Sequence, residues 1–198
     1  MFRNYLKTAW RNLKTSKFYS LINIGGLAIG LATGIMLLLW VQNERSYDKF
    51  NHNYKNIYNL SAHFPSNGGK DITWNGAPGP LAVYARSMPQ VKKIVRIDEE
   101  RGQLLSNSGQ TKMIENNTVA CVDPGFFSMF DFKLAEGNKS RLFPNNNSIV
   151  LSHSTAEKIF GTDNALGKIV VLNKENFSVT GILEDFPGNS SLQYDAII

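Results

Sequence analysis

The sequence has one cysteine in 198 residues, Cys121, so no disulfide can close within the chain and no thiolate cluster can hold a metal. A lone cysteine of this kind is expected to be a small buried residue in a strand. An exported chain without disulfides fits a bacterial envelope better than a eukaryotic secreted domain. The three histidines, His52, His63 and His153, are not paired at metal-ligand spacing. No acidic residue precedes Glu44, and no internal repeat is visible.

Motifs for chemistry are missing too. Gly161-x5-Gly167-Lys168 is the nearest approach to a phosphate loop. A phosphate loop of the Walker type has four intervening residues and a Ser or Thr after the lysine, where this chain has Ile169. Asp98-Glu99-Glu100 reads as a solvated turn. Ser152 and Ser154 flank His153 without a nucleophile elbow. The sequence therefore predicts no catalytic residue, no metal site and no cofactor, and an envelope enzyme is a poor reading.

What is present is unevenly spread. The net charge is +5, and five bases, Arg3, Lys7, Arg11, Lys14 and Lys17, stand ahead of the apolar run Phe18–Val41. The remaining 16 bases balance the 16 acids, so the high pI is no nucleic-acid signal and no nucleic-acid partner is expected. Basic residues beside an apolar run predict a cytoplasmic N-terminus.

The run is 24 residues long without charge or proline. As a helix it reaches about 36 Å, enough for a hydrocarbon core of about 30 Å. It outlasts the apolar stretch of a cleaved leader, and no small-residue cleavage site follows it. Tyr19 and Trp40 lie near its ends, at headgroup level for a span. Gly26, Gly30 and Gly34 recur every four residues and predict a side where another helix packs closely. Ahead of the run, Phe2, Leu6, Ala9, Trp10 and Leu13 keep helical spacing, with Arg3, Lys7, Arg11 and Lys14 clustered opposite. That predicts an amphipathic helix in the interface, with Trp10 and the bases toward headgroups.

The organisation follows: residues 1–16 an amphipathic helix, 17–42 a transmembrane helix continuing as a stalk to about Asn53, and 54–198 an extracytoplasmic domain. Tyr47, Phe50, Tyr54 and Ile57 are the apolar positions of that stalk. In the domain, strands are expected at Ile57–Ser61, Asp71–Asn75, Val91–Asp98, Ser148–Leu151, Lys168–Leu172 and Phe177–Leu183. Helices are expected at Pro80–Ser87 and from about Ser154 to Phe160, the latter capped by Ser152 and ended by Gly161. Phe126, Phe127, Met129, Phe130 and Phe132 read as core. About 98–118 looks like a small β insertion. The fold class is α+β: N-terminal helices followed by a porter-like α/β sandwich.

Several strings, in order and spacing, resemble the N-terminal part of the MacB/FtsX-type ABC transporter permeases, of the Bacteroidetes type. They are FRNYLKTAWRNL from Phe2, SLINIGGLAIG from Ser20, Tyr47-Asp48-Lys49-Phe50 with Ile57-Tyr58, and Pro89-Gln90-Val91. Further on come VDPGFFSMF from Val122, IVLS from Ile149 with AEKIFG from Ala156, Leu166-Gly167-Lys168, and VTGILEDFP from Val179 with Asn189-Ser190. The resemblance implies a non-enzymatic permease of the bacterial inner membrane with a periplasmic MacB-like core domain. Its partners would be a separate ABC ATPase subunit, a second permease copy forming a dimer, the lipid bilayer and a periplasmic adaptor. The family has three further spans, so the chain is expected to be truncated at its C-terminus. The reading from another class is a single-span anchored binding or sensor module.

Overall fold

A computed structural model describes residues 2–66, 68–161 and 164–198; the side chains of Phe2, Leu6 and Asn116 lie outside the described set, so those two members of the first helix's apolar stripe do too. The chain divides into two compact units, Met1–Tyr47 and Asp48–Ile198.

The first unit is helical. Helix α1 spans Phe2–Thr15 and helix α2 spans Lys17–Glu44. The break falls at Ser16, whose φ of −109° and ψ of 59° leave helical geometry. Its hydroxyl donates to the Asn12 carbonyl at 2.9 Å, satisfying an acceptor at the end of α1. The 28 residues of α2 extend about 42 Å. No residue of α2 is buried among the described residues, because its apolar side chains point all round and no protein covers them. It is long and apolar enough to cross a membrane.

The expected stalk to Asn53 does not form. Helix α2 ends at Glu44, and turns follow until a short 3-10 turn at Tyr54–Asn56. The reason lies at Asp48, which adopts a positive φ of 56°. That left-handed conformation cannot continue a right-handed helix. Its N–H donates to the Asn189 carbonyl at 2.9 Å instead of to a carbonyl one turn back.

The second unit is built on strands. Strands β1 (Ala62–Phe64) and β2 (Ile72–Trp74) pair antiparallel as a separate hairpin. The strand expected at Ile57–Ser61 therefore starts later, at Ala62. Helix α3 spans Leu81–Ala85. Strand β3 (Ile97–Asn107) pairs with β4 (Met113–Val122), and α4 spans Phe126–Met129. Then come β5 (Leu134–Gly137), β6 (Ser148–Ser152), α5 (His153–Phe160), β7 (Ile169–Leu172), β8 (Glu175–Leu183) and β9 (Ala196–Ile197). Ser152 caps α5 by accepting the Thr155 N–H, and Gly161 ends it at a φ of 70°.

The sheet order is β5-β8-β6-β9-β4-β3-β7, and β7 pairs back onto β8. Strands β8, β6, β9, β4, β3 and β7 thus close into a barrel, while β5 uses the rest of the β8 edge near Gly181. The hairpin over residues 98–118, expected as an insertion, is part of this wall: β4 holds β9 in parallel and β3 holds β7. The expected strand at Val91–Asp98 begins only at Ile97.

Successive strand residues point to opposite faces, and here both faces are covered. On β6, Ile149 and Leu151 pack with Val179, Phe177 and the α5 residue Ile159, while Val150 packs with Phe126, Phe127 and Leu183. Such strands read as continuous apolar runs rather than alternating ones, and Ile149-Val150-Leu151 does. Of the residues expected as core, Phe126, Phe127 and Phe132 are buried and Phe130 packs against them, while Met129 stays half-buried outside the core clusters. Phe126 is fully buried, 5.1 Å from Phe127 edge to face and 5.7 Å from Phe132 in a stack. Cys121 is a strand residue as expected, but it is exposed rather than buried.

Candidate functional site

In the first unit, helical geometry groups the expected residues. At 3.6 residues per turn Arg3, Lys7, Arg11 and Lys14 fall within an arc of about 80°. The arc borders Trp10 rather than facing it from the opposite side, and Asn4, Thr8 and Asn12 fill the rest of the polar surface. The Lys14 ammonium stands 5.5 Å from the Trp10 ring centroid, within cation–π range. Lys17 opens α2. Tyr19 and Trp40 are exposed near its ends.

Gly26, Gly30 and Gly34 lie on one side of α2, and a Cβ built on any of them meets no described atom within 4 Å. Sequence reasoning missed Asn23, which shares that side by helical spacing. It has no hydrogen-bond partner among the described residues, whereas Thr33 satisfies its hydroxyl on the Ile29 carbonyl at 2.9 Å.

The first residues of the second unit are strapped to the barrel. Asp48 accepts the Ser191 N–H at 2.9 Å on its carboxylate. Phe50 packs 5.5 Å from Phe132, which in turn meets Phe186 at 4.6 Å. Asn51 is buried; its amide carbonyl accepts the Asp131 N–H at 2.8 Å, and its NH2 donates to the Asp48 carbonyl at 3.2 Å. The His52 N–H donates to the Asp131 carboxylate at 2.8 Å, and the His52 ring Nδ1 lies 2.5 Å from the same oxygen. Hydrogen bonding from His52 holds the Asp131 carboxyl below its ordinary range.

Three strings far apart in sequence thus meet at one place: Asp48-Lys49-Phe50, the end of the Phe126–Phe132 cluster, and Phe186 with Asn189-Ser190-Ser191. The strings were visible in the sequence. What could not be read was that Asp48 would leave the helix and bind the barrel.

The fold and site define a class: a chain with a membrane-length helix followed, three residues on, by a strap into a closed β-barrel domain with flanking helices. Residues 20–198 match the MacB-like periplasmic core domain, and the chain belongs to that family. Over 73 residues it is 36% identical to the macrolide export ATP-binding/permease protein MacB of Aggregatibacter actinomycetemcomitans, covering 33% of this chain and 11% of that one. It is 22% identical over 194 residues to the uncharacterized ABC transporter permease YvrN of Bacillus subtilis, covering 91% of this chain and 46% of that one. The matched region thus spans less than half the length of these two relatives. The extracellular domain of the noncanonic ABC-type transporter YknZ from Gram-positive bacteria shares the fold, with a TM-score of 0.53 at 16% identity over 70% of this chain and 71% of that one.

Proposed function

We propose that this chain is the leading part of an ABC transporter permease that passes movement from the membrane to its barrel domain. Membership of the MacB-like family and the permease relatives support this reading. The observation that carries it is the short link: α2 ends at Glu44, only Arg45, Ser46 and Tyr47 intervene, and Asp48 is already bonded to the barrel at Asn189 and Ser191. A link this short leaves little slack, so displacement of the helix reaches the strap.

In this reading the chain itself does no catalysis. An ATP-hydrolysing subunit on the cytoplasmic side drives the cycle. Helix α1 lies in the inner-membrane interface with Arg3, Lys7, Trp10, Arg11, Lys14 and Lys17 at the headgroups. Helix α2 spans the inner membrane, the N-terminus is cytoplasmic and the barrel periplasmic. Asn23, Gly26, Gly30 and Gly34 face partner helices, from the rest of the permease or from a second copy in a dimer. A periplasmic adaptor is a further partner.

Two measurements test it. Cys121 is an exposed natural reporter; a membrane-impermeant maleimide added to intact spheroplasts should label it, and protection until lysis would reverse the topology. Inserting Gly-Ser-Gly-Ser between Ser46 and Tyr47 in the assembled transporter should leave expression intact and at least halve stimulated ATPase activity. Unchanged activity would remove the strap from the coupling route.

A further inference from the structure

Between α3 and the start of the barrel, the second unit has a cleft of about 570 Å3 lined by Arg86, Lys92, Lys93, Arg96, Asp123 and Gly125. Four cations and one carboxylate line it, and two of the cations, Arg86 and Arg96, reach that carboxylate. The Asp123 side chain is 14% exposed and holds the two arginines. Its carboxylate takes the Arg96 guanidinium through Nη2 at 2.7 Å and Nε at 3.1 Å, and accepts the Arg96 N–H at 3.1 Å. Arg86 reaches the same carboxylate at 3.5 Å. One carboxylate is thereby shared between two guanidinium groups that remain more than half exposed at 57% and 56%. Lys93 donates to Ser128 Oγ at 2.7 Å, and Lys92 has no partner among the described residues.

The cleft does not stand alone. The segment leading into it exposes Val83, Tyr84 and Met88 at 64%, 71% and 53%. Apolar side chains left in water beside an excess of cations over carboxylate mark an interaction surface rather than a solubilising face. Arg96 spends its Nε–Nη2 edge on Asp123, so a further carboxylate meets the remaining N–H groups of Arg96 and Arg86 and the ammonium groups of Lys92 and Lys93. The cleft is open to solvent, so an extended chain can lay its side chains along it.

We propose that this cleft and the adjoining Val83–Met88 surface bind an acidic, leucine-rich protein segment, its carboxylates on Arg86, Lys92, Lys93 and Arg96 and its apolar side chains on Val83, Tyr84 and Met88. The inference stands apart from the transport reading, since it uses only the second unit and any partner of that chemistry.

The test uses the full chain in nanodiscs of zwitterionic lipid and a fluorescein-labelled peptide of repeating Glu-Leu-Glu, followed by fluorescence anisotropy. Saturable binding is expected, weakening at least fivefold between 50 and 300 mM salt, with a Lys-Leu-Lys peptide not bound. K92E/K93E should weaken binding at least tenfold with an unchanged melting curve; if that variant fails to fold, K92Q alone should weaken it about threefold. V83S/Y84S should weaken binding while keeping its salt dependence. K7Q/R11Q in α1 should bind as the parent does. No saturable binding, equal binding of both peptides, or loss of binding on changing Lys7 and Arg11 instead would overturn the proposal. So would binding of the cleft to phosphatidylglycerol vesicles, abolished by K92E/K93E, in place of the peptide.

Discussion

Helix α2 and strand β6 are both strongly apolar, yet none of the 28 residues of α2 is buried and all five of β6 are. The same kind of side chain meets two different solvents. In β6, neighbouring strands satisfy the backbone and both faces are closed by protein, so Ile149, Val150 and Leu151 have left water through the fold itself. In α2, the backbone is satisfied within the helix and the side chains are left for lipid or for other helices. Stability of the barrel therefore depends on packing within this chain, and that of the helical unit on what surrounds it.

The contrast is sharpest at Phe126. It is fully buried and touches three other aromatic rings. Phe126→Ala should cost the barrel about 3–5 kcal/mol in urea titrations of the full chain in micelles. Leu31→Ala, in α2, should leave that transition where it is. Equal effects would erase the distinction between the units.

Glycines repeat the comparison at smaller scale. Gly137 has a φ of +106°, and a Cβ there would lie 2.8 Å from the Thr180 carbonyl oxygen. Gly137→Ala should destabilise the barrel by about 2–4 kcal/mol through strain and overlap. Gly30→Leu meets no described atom and should not move the barrel transition. Its expected effect is on helix association, read as a drop in cross-linked or energy-transfer-detected oligomer in bilayers. An intact oligomer would show that the glycine side is not a packing surface.

At the strap, Asn51→Ala removes a buried amide and leaves the part-buried Asp131 N–H without its acceptor, which should cost about 1–2 kcal/mol. Hydrogen exchange should accelerate at Asp131 while β6 amides stay protected. Removing the α5 cap with Ser152→Ala should cost about 1 kcal/mol, with faster exchange confined to the first turn of α5.

The smallest effect is electrostatic. Hydrogen bonds from Arg96 hold the Asp123 carboxyl below its ordinary range. A depressed folded value means the stabilisation is complete above the ordinary carboxylate range and is lost as pH falls through the folded value. Asp123→Asn should therefore lower barrel stability slightly at neutral pH, leave it nearly unchanged at low pH, and so flatten the acid limb; an unaltered acid limb would show that the pair contributes nothing to it.

Much of the fold was legible because its signals are local. Ser152 and Gly161 bracket α5 by capping chemistry, and the uninterrupted run Phe18–Val41 marks α2. The strands expected near Ser148, Lys168 and Phe177 form within a residue or two of their expected bounds. The failures are where a local pattern had two outcomes. Tyr47, Phe50, Tyr54 and Ile57 have helical spacing, but Phe50 gains more from the Phe132 ring than a solvated stalk could offer. The hairpin at residues 98–118 carries polar turns like an insertion, and only its pairing with β7 and β9 puts it in the barrel wall. At the candidate site, the glycine spacing and the basic cluster were readable, while Asn51, His52 and Asp131 carried no signal, because their partners lie about 80 residues apart in the chain.

The sequence by itself determined the membrane-length helix, the basic flank before it and the aromatic core segment. Each of these follows from composition and short-range spacing, which act before the chain has folded. Only the tertiary structure decided where the helix stops, how the strands close into a barrel and which distant residues form the strap and the basic cleft. Those features depend on pairings between remote segments, whose free energy exists only once the chain has brought them together.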